Sequence, residues 1–465
     1  MASKSRTHAP RVRALALVIA SILAPALGAS GMKPGPEPLG DLVVTPQNCN
    51  DNGTGSLREA FAQPADQLTI DLSALACSTI TLTSGALVVP ADTRVVYLVR
   101  PPEIENGRPV PVLTIDGNGA DRVIEDTSTS ATRHVLYAIG IRIVNGKYVG
   151  PRGGCVYSSG FVGLSASEVS GCEVRATGED TAAGGGIYAK QGVYLVSSTV
   201  RDNIASAPAN YAYGGGVFSN EGIAINTSTI SGNRAIDGYG GGIAMNGSMF
   251  IQHSTIASNT AAFDGGLAAF GGTADDELLI RNSTISGNSA TIGAGGVEAW
   301  QALQLDGSTI TGNTSGGDAA GGLSLNGSTA ALRSTIVFGN TSNGGAADVG
   351  GNGVANGGRN LIGDASIPIP PDTWGQDPLL LPLADNGGFT MTHALAPGSP
   401  AIDRGGTGDT LDGLDQRFAE LADDGHRLFF YERIVGPAAD IGAFEFGAPD
   451  LVFRDGFELD TPKRR

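Results

Sequence analysis

The sequence predicts an all-β chain, a right-handed parallel β-helix, and three regularities carry that prediction. A Ser-Thr-aliphatic step followed by Asn recurs at Asn203, Asn233, Asn259, Asn288, Asn313 and Asn340, at intervals of 30, 26, 29, 25 and 27 residues. Each copy follows a Gly-Gly-aliphatic step, as in GGGIYAK from Gly184, GGGVFSN from Gly214 and GGVEAW from Gly295. Between the two steps runs a short apolar alternation. Self-similarity at such a period marks a solenoid, in which each repeat buries its apolar face against its neighbours.

Within a repeat, the first strand opens on an aliphatic residue, Ile187, Val217, Ile243, Leu267, Val297 or Leu323. Alternation of period two turns that residue and the second one after it toward the interior. A second strand holds pairs such as Val193 and Leu195, or Ile223 and Ile225. The third carries Val200, Ile230, Ile256, Ile285, Ile310 and Ile336 directly after Ser-Thr. Three short strands and tight turns account for one coil. Leucine-rich repeats would need more Leu, where these copies carry β-branched residues and Gly, and propeller blades need about 40 residues. The recurrent Asn suits a ladder in which each side-chain amide bonds the turn backbone and the next amide. The glycine pairs suit backbone conformations closed to other residues. Asn145, in IGIRIVNG, reads as the first ladder position. In the following coil Cys155 and Cys172 stand where other coils have Gly and Asn.

The coils span 112–362, preceded by an amino-terminal cap with the first strands at 29–111. Residues 1–28 read as an export signal: Lys4, Arg6, Arg11 and Arg13, then an apolar run from Ala14 to Leu23, then small residues. That run is too short for a transmembrane span. In SLREAF, Ser56 and Glu59 form a capping box ahead of a short helix that would suit a lid over the first coil. The region 363–447 closes the other end, where an open sheet edge would invite pairing.

The GSLREAF segment, the STISGN coils and the stretch from DPLLLPLADNGG at Asp377 to DIGAFE at Asp440 together resemble bacterial exported β-helix proteins with a CSLREA-type amino-terminal motif and a carboxy-terminal choice-of-anchor Q region. The likeness covers most of the mature chain, and Gly55 stands where that motif has Cys. It implies export or display on the cell surface and no shared enzymatic activity. The tail at 448–465, with LVFRDGFE, is similar to short carboxy-terminal tails of exported proteins from some Gram-negative bacteria; an ordinary disordered end is the alternative.

The net charge is −17, or −21 without the four positive charges of the signal, which argues against nucleic acid as a partner. Gly makes up 70 of 465 residues, about twice the usual share, without a collagen period. Four cysteines in an exported chain can pair in three ways; proximity favours Cys49 with Cys77 and Cys155 with Cys172, with free thiols as the alternative. No Cys-x-x-Cys pair exists and the histidines are scattered, so no metal and no cofactor are expected. Asp409, Asp412 and Asp415 lack the EF-hand order and read as a solvated loop.

The outward face of the first strand carries the binding hypothesis. One column reads Tyr188, Phe218, Ala244, Ala268, Glu298, Ser324; the next reads Lys190, Asn220, Asn246, Phe270, Trp300, Asn326. Aromatic rings interleaved with amides suit a glycan, while packing beneath turns is the plainer account. No catalytic residue is assigned. Glu298 has no second carboxylate on this face, Lys190 lies four coils or about 19 Å away, and His134, His253, His393 and His426 show no Ser or Cys partner in a nucleophile motif. The expected role is non-enzymatic adhesion, with extracellular polysaccharide or cell-surface components as partners and a polysaccharide lyase or glycoside hydrolase as the alternative.

Overall fold

The structure is a computed structural model that describes residues 40–105, 108–127, 134–271, 273, 275–406, 413–418, 428–448, 451–454 and 458–460. The segment read as an export signal, together with Asp409, Asp412 and His426, lies outside the described residues.

The chain winds as a parallel β-helix through two twelve-stranded sheets, a ten-stranded sheet and an eight-stranded sheet. One coil runs through Ile187–Ala189 in the glycine sheet, Gly192–Val196 in the long-strand sheet, Thr199–Arg201 in the serine-threonine sheet and Ile204–Ser206 in the asparagine sheet. A coil thus holds four strands instead of the expected three. The fourth, just past each Asn, is two or three residues of mixed character, such as Arg234–Ile236 or Ser289–Ala290, too short for alternation to show in sequence.

Coil-to-coil register stacks like on like. Val200, Ile230, Ile256, Ile285 and Ile310 pair in succession, and all are buried in one continuous core. Each buried aliphatic contributes about 1.5–3 kcal/mol. The last coil corrects the sequence alignment: Ile310 pairs with Val337, while Ile336 pairs with Thr309. One extra residue between Ser334 and Asn340 shifts the register by one, and a one-residue slip turns every side chain to the other face. Ile336 therefore packs outward against Leu395, Ala401 and Ile441.

The Asn column is a continuous internal ladder. Asn203 Nδ2 donates to Val169 O at 3.1 Å and to Asn233 Oδ1 at 2.9 Å, and the pattern repeats through Asn259, Asn288, Asn313 and Asn340. At its end Asn340 donates to Asp348 Oδ1 at 2.8 Å. A second ladder joins the serines: the amide of Ser198 donates to Ser228 Oγ at 3.0 Å, and that of Ser228 to Ser254 Oγ at 3.1 Å.

Asn145 does not belong to the ladder. Val144 pairs with Ser170 and Ser170 with Arg201, so Asn145 falls level with Gly171 and Asp202, one residue before the ladder position. That slot needs a positive φ, 54° at Asn145 and 56° at Asp202, which Asn tolerates better than most residues. Its side chain bonds Asp116 at the exposed surface.

The glycine pair is explained by space and not by backbone angle. Gly184, Gly214 and Gly240, the leading glycines, have positive φ; the two that follow each of them do not. A Cβ on Gly215 would lie 2.4 Å from Gly241 O, and one on Gly216 would lie 2.9 Å from Asn233 Cγ. The third glycine thus makes room for the ladder amide. Where Cys155 replaces that glycine and Cys172 replaces Asn, the two are joined as a disulfide, and Cys49 is joined to Cys77. Peptide mapping without reductant is expected to recover these two links; four free thiols would refute both pairings.

At the amino end the helix Leu57–Phe61 buries Leu57, Ala60 and Phe61 against the first coils. Ser56 Oγ accepts from the Glu59 amide at 3.2 Å, and Glu59 reaches back to the Gly55 amide. At the other end Thr373–Trp374 pairs with Asn360–Ile362. The chain then folds back along the serine-threonine sheet, where Gln416 Nε2 bonds Ser254 O and Thr255 Oγ1 and the Ala443 amide bonds Thr309 Oγ1.

Candidate aromatic cleft

The outer face of the glycine sheet carries a cleft of about 510 Å³. Its walls come from two places in each coil: the sheet strand itself, and the segment that leads into the leading glycine. From the strands come Tyr188 and Phe218, and Tyr157 continues their stack outside the cleft, with centroids 5.5 Å apart at each step. From the segments before the leading glycine come Tyr213 and Tyr239, and Phe263 continues their stack outside the cleft, at 5.5 and 4.3 Å. After Phe218 the strand column drops to Ala244 and Ala268, and Phe270 packs in that space. Its ring meets Tyr213 and Tyr239 edge-on at 6.0 and 5.6 Å and lies 5.1 Å from Trp300. Edge and offset contacts of this kind suit the ring quadrupoles and add about 0.5–1.5 kcal/mol per pair.

Of the residues expected to bind, Tyr188, Phe218, Asn220, Asn246, Phe270 and Trp300 line the cleft, whereas Lys190, Glu298 and Asn326 are not among its lining residues. Tyr188 and Phe218 are 2% and 8% exposed, so they serve as wall and not as an open platform. Trp300, at 37%, offers its ring to solvent. The amides form a chain along the cleft: Asn246 Nδ2 donates to Asn220 Oδ1 at 3.3 Å, and Asn220 Nδ2 to Tyr188 Oη at 3.0 Å. Burial pushes the Tyr188 phenol above its ordinary range, offset in part by Arg152 and Asn220.

Sequence reasoning missed Arg152, Tyr213 and Tyr239, which lie in the segments of variable length that lead into the glycine step, Tyr213 in the two-residue strand Ala212–Tyr213 and the other two in single bridges. It also missed Asp264, which the fold brings beside Glu298. Asp264 takes the leading-glycine slot of its coil, level with Gly240, and its departure from GGG was the available signal. Its side chain is fully buried, and neither carboxyl oxygen has a donor among the described residues. Burial first, and then the Glu298 carboxyl, push Asp264 well above the usual carboxylate range. A protonated Asp264 can then donate to Glu298, whose Oε1 also accepts from Asn326.

His253 and His393 belong to the packing of the returning segment against the coils. His253 Nδ1 lies 2.9 Å from Asp415 O. His393, for which the sequence offered no partner, lies 2.8 Å from Ser286 Oγ through Nε2 and 2.7 Å from Leu381 O through Nδ1. This pair ties the returning segment to the serine-threonine sheet, with a backbone carbonyl where a catalytic triad has a carboxylate. Asp415 is buried in a pair with Arg417, which leaves it unsuited to a loop cation site. No helix among the described residues is long and apolar enough to cross a membrane. No protein-family model, no curated protein and no solved structure matches the chain.

Proposed function

We propose that the protein is an exported binder of a polysaccharide chain, which it holds without cleaving it along the aromatic cleft. The observation that carries this reading is the join of an exposed Trp300, a half-buried Phe270 and the Asn246–Asn220 amide chain in one groove running across several coils. Sugar faces lie on aromatic rings, and primary amides both donate to and accept from hydroxyls. Successive coils repeat at about 4.8 Å, so the groove offers contacts at regular steps along an extended chain. Export and display at the cell surface rest on the apolar run at Ala14–Leu23 and on the likeness to exported β-helix proteins.

The Asp264–Glu298 pair raises a second reading, glycoside hydrolysis, but that chemistry uses two carboxyl groups about 5–10 Å apart on a groove, and these two lie within hydrogen-bond reach of each other and off the cleft lining. Against it stand the complete burial of Asp264 and the engagement of Glu298 by Asn326. Incubation with a panel of polysaccharides, scored for retention and for chain cleavage, separates the two. Retention without cleavage is expected, and Trp300→Ala is expected to weaken it by at least about 1 kcal/mol, the lower range for an aromatic anchor. Circular dichroism should be unchanged, because Trp300 faces out. Unchanged affinity in both Trp300→Ala and Phe270→Ala would remove this cleft as the site.

A further inference from the structure

Resting on the reading of the cleft as a glycan site, we infer that the bound chain is acidic, carrying carboxylate sugars, with Arg152 as the residue that selects for the negative charge. Arg152 is the one cation among the residues lining the cleft. Its guanidinium lies over the Tyr188 ring, 5.1 Å from the centroid, at the end of the groove opposite Trp300. That contact uses a face of the guanidinium plane and leaves the edge, with its N–H groups, free for a ligand.

In a protein of net charge −17 carboxylates are plentiful, and nine other arginines, from Arg58 at the amino-terminal lid to Arg417 in the returning segment, lie in ion pairs. Arg152 has no carboxylate within ion-pair distance among the described residues. Its neighbours along the groove are hydroxyl, amide and ring: Thr181, Asn220 and Tyr213. A guanidinium fork held over an aromatic ring and facing an aromatic groove matches a carboxylate in bidentate fashion. The rings further along take the sugar faces, and the long-range repulsion that an acidic protein exerts on an acidic chain is screened beyond roughly 8 Å at physiological salt.

The test uses the full chain and the same polysaccharide panel, with each acidic member present also as its methyl ester, which removes the charge and keeps the ring. Polygalacturonate and alginate supply the carboxylate arm, chondroitin sulfate a sulfate-bearing arm, and dextran and xylan the neutral arm. The expected result is retention of a carboxylate chain, at least tenfold weaker for its methyl ester. Arg152→Gln should reproduce that tenfold loss on the free acid and leave the affinity for the ester as it was. Arg152→Lys should recover part of the loss. Retention of a neutral chain, equal affinity for acid and ester, or a loss in Arg152→Gln that is the same for both forms would each overturn the acidic specificity and leave glycan binding standing. Preference for the sulfated chain over every carboxylate chain would overturn it as well. Failure of every chain to bind would overturn the glycan reading itself.

Discussion

Replacing Asn259 by leucine is expected to lower the stability of the helix by about 3 kcal/mol, the upper end for a buried group left without its partner. The side chain makes four hydrogen bonds at once: Nδ2 to Ile230 O at 3.0 Å and to Asn288 Oδ1 at 2.9 Å, and Oδ1 from the Asn233 amide at 3.0 Å and from Asn233 Nδ2 at 2.9 Å. Leucine of nearly the same volume fills the space and removes all four. Its neighbours cannot turn to water, because the whole column is buried. In a solenoid the damage should centre on the adjoining coils, so hydrogen exchange is expected to quicken first around Ile230, Asn233 and Asn288. Asn145→Gly is the matched control. Glycine accepts the positive φ of that surface slot without strain, and stability should move by no more than about 0.5 kcal/mol. An unchanged thermal midpoint in Asn259→Leu would sink the ladder, and equal losses in the two variants would sink the distinction between the two positions.

The two asparagines show what the sequence could and could not reveal of this fold. The ladder was legible because a buried amide has one solution in every coil, so selection for the same contact leaves the same letter at the same phase. Asn145 has the same letter for another reason, tolerance of a left-handed backbone, and phase alone separates the two. Ile336 misled in the same way. Ser334-Thr335-Ile336 looks like the other Ser-Thr steps, yet Thr335 takes the serine position, bonding Leu305 O at 3.0 Å, and Val337 takes the aliphatic one. A local motif carries no register until the strand beside it is known. The glycine pair was visible, but its cause, the ladder amide and the next coil's carbonyl pressing on the missing Cβ, exists only between coils.

The cleft was half legible for a related reason. Asn220, Asn246, Phe270 and Trp300 each sit one residue past a glycine-sheet strand, close enough for the strand's alternation to say which way they point. Tyr213 and Tyr239 sit in the short paired segment before the leading glycine, and the 25 to 30 residue spacing of the coils shows that lengths between fixed steps vary. Periodicity does not place such residues. The stack they make is nonetheless what gives the groove its second wall.

Asp264→Asn is expected to raise stability at neutral and higher pH and to leave it unchanged in acid. The folded chain holds the Asp264 carboxyl well above its usual range, through burial and then through Glu298, so over the interval above the unfolded value of about 4 the native state keeps a proton that the unfolded chain has released. Stability rises with pH where the unfolded state binds more protons; here the native state binds more, so stability falls as pH rises from about 4 toward the folded value. Asparagine has no such proton to lose, and its Nδ2 can donate to Glu298 at every pH. The variant should therefore exceed the parent by roughly 1–3 kcal/mol near pH 8, with the two converging by about pH 4. Tyr239, whose phenol is raised chiefly by burial, titrates above this window. Thermal midpoints at pH 4, 6 and 8 decide the matter: parallel curves for the two proteins would mean that Asp264 holds no extra proton in the fold. Convergence in acid would establish that the native state holds at Asp264 a proton that the unfolded chain releases over this range.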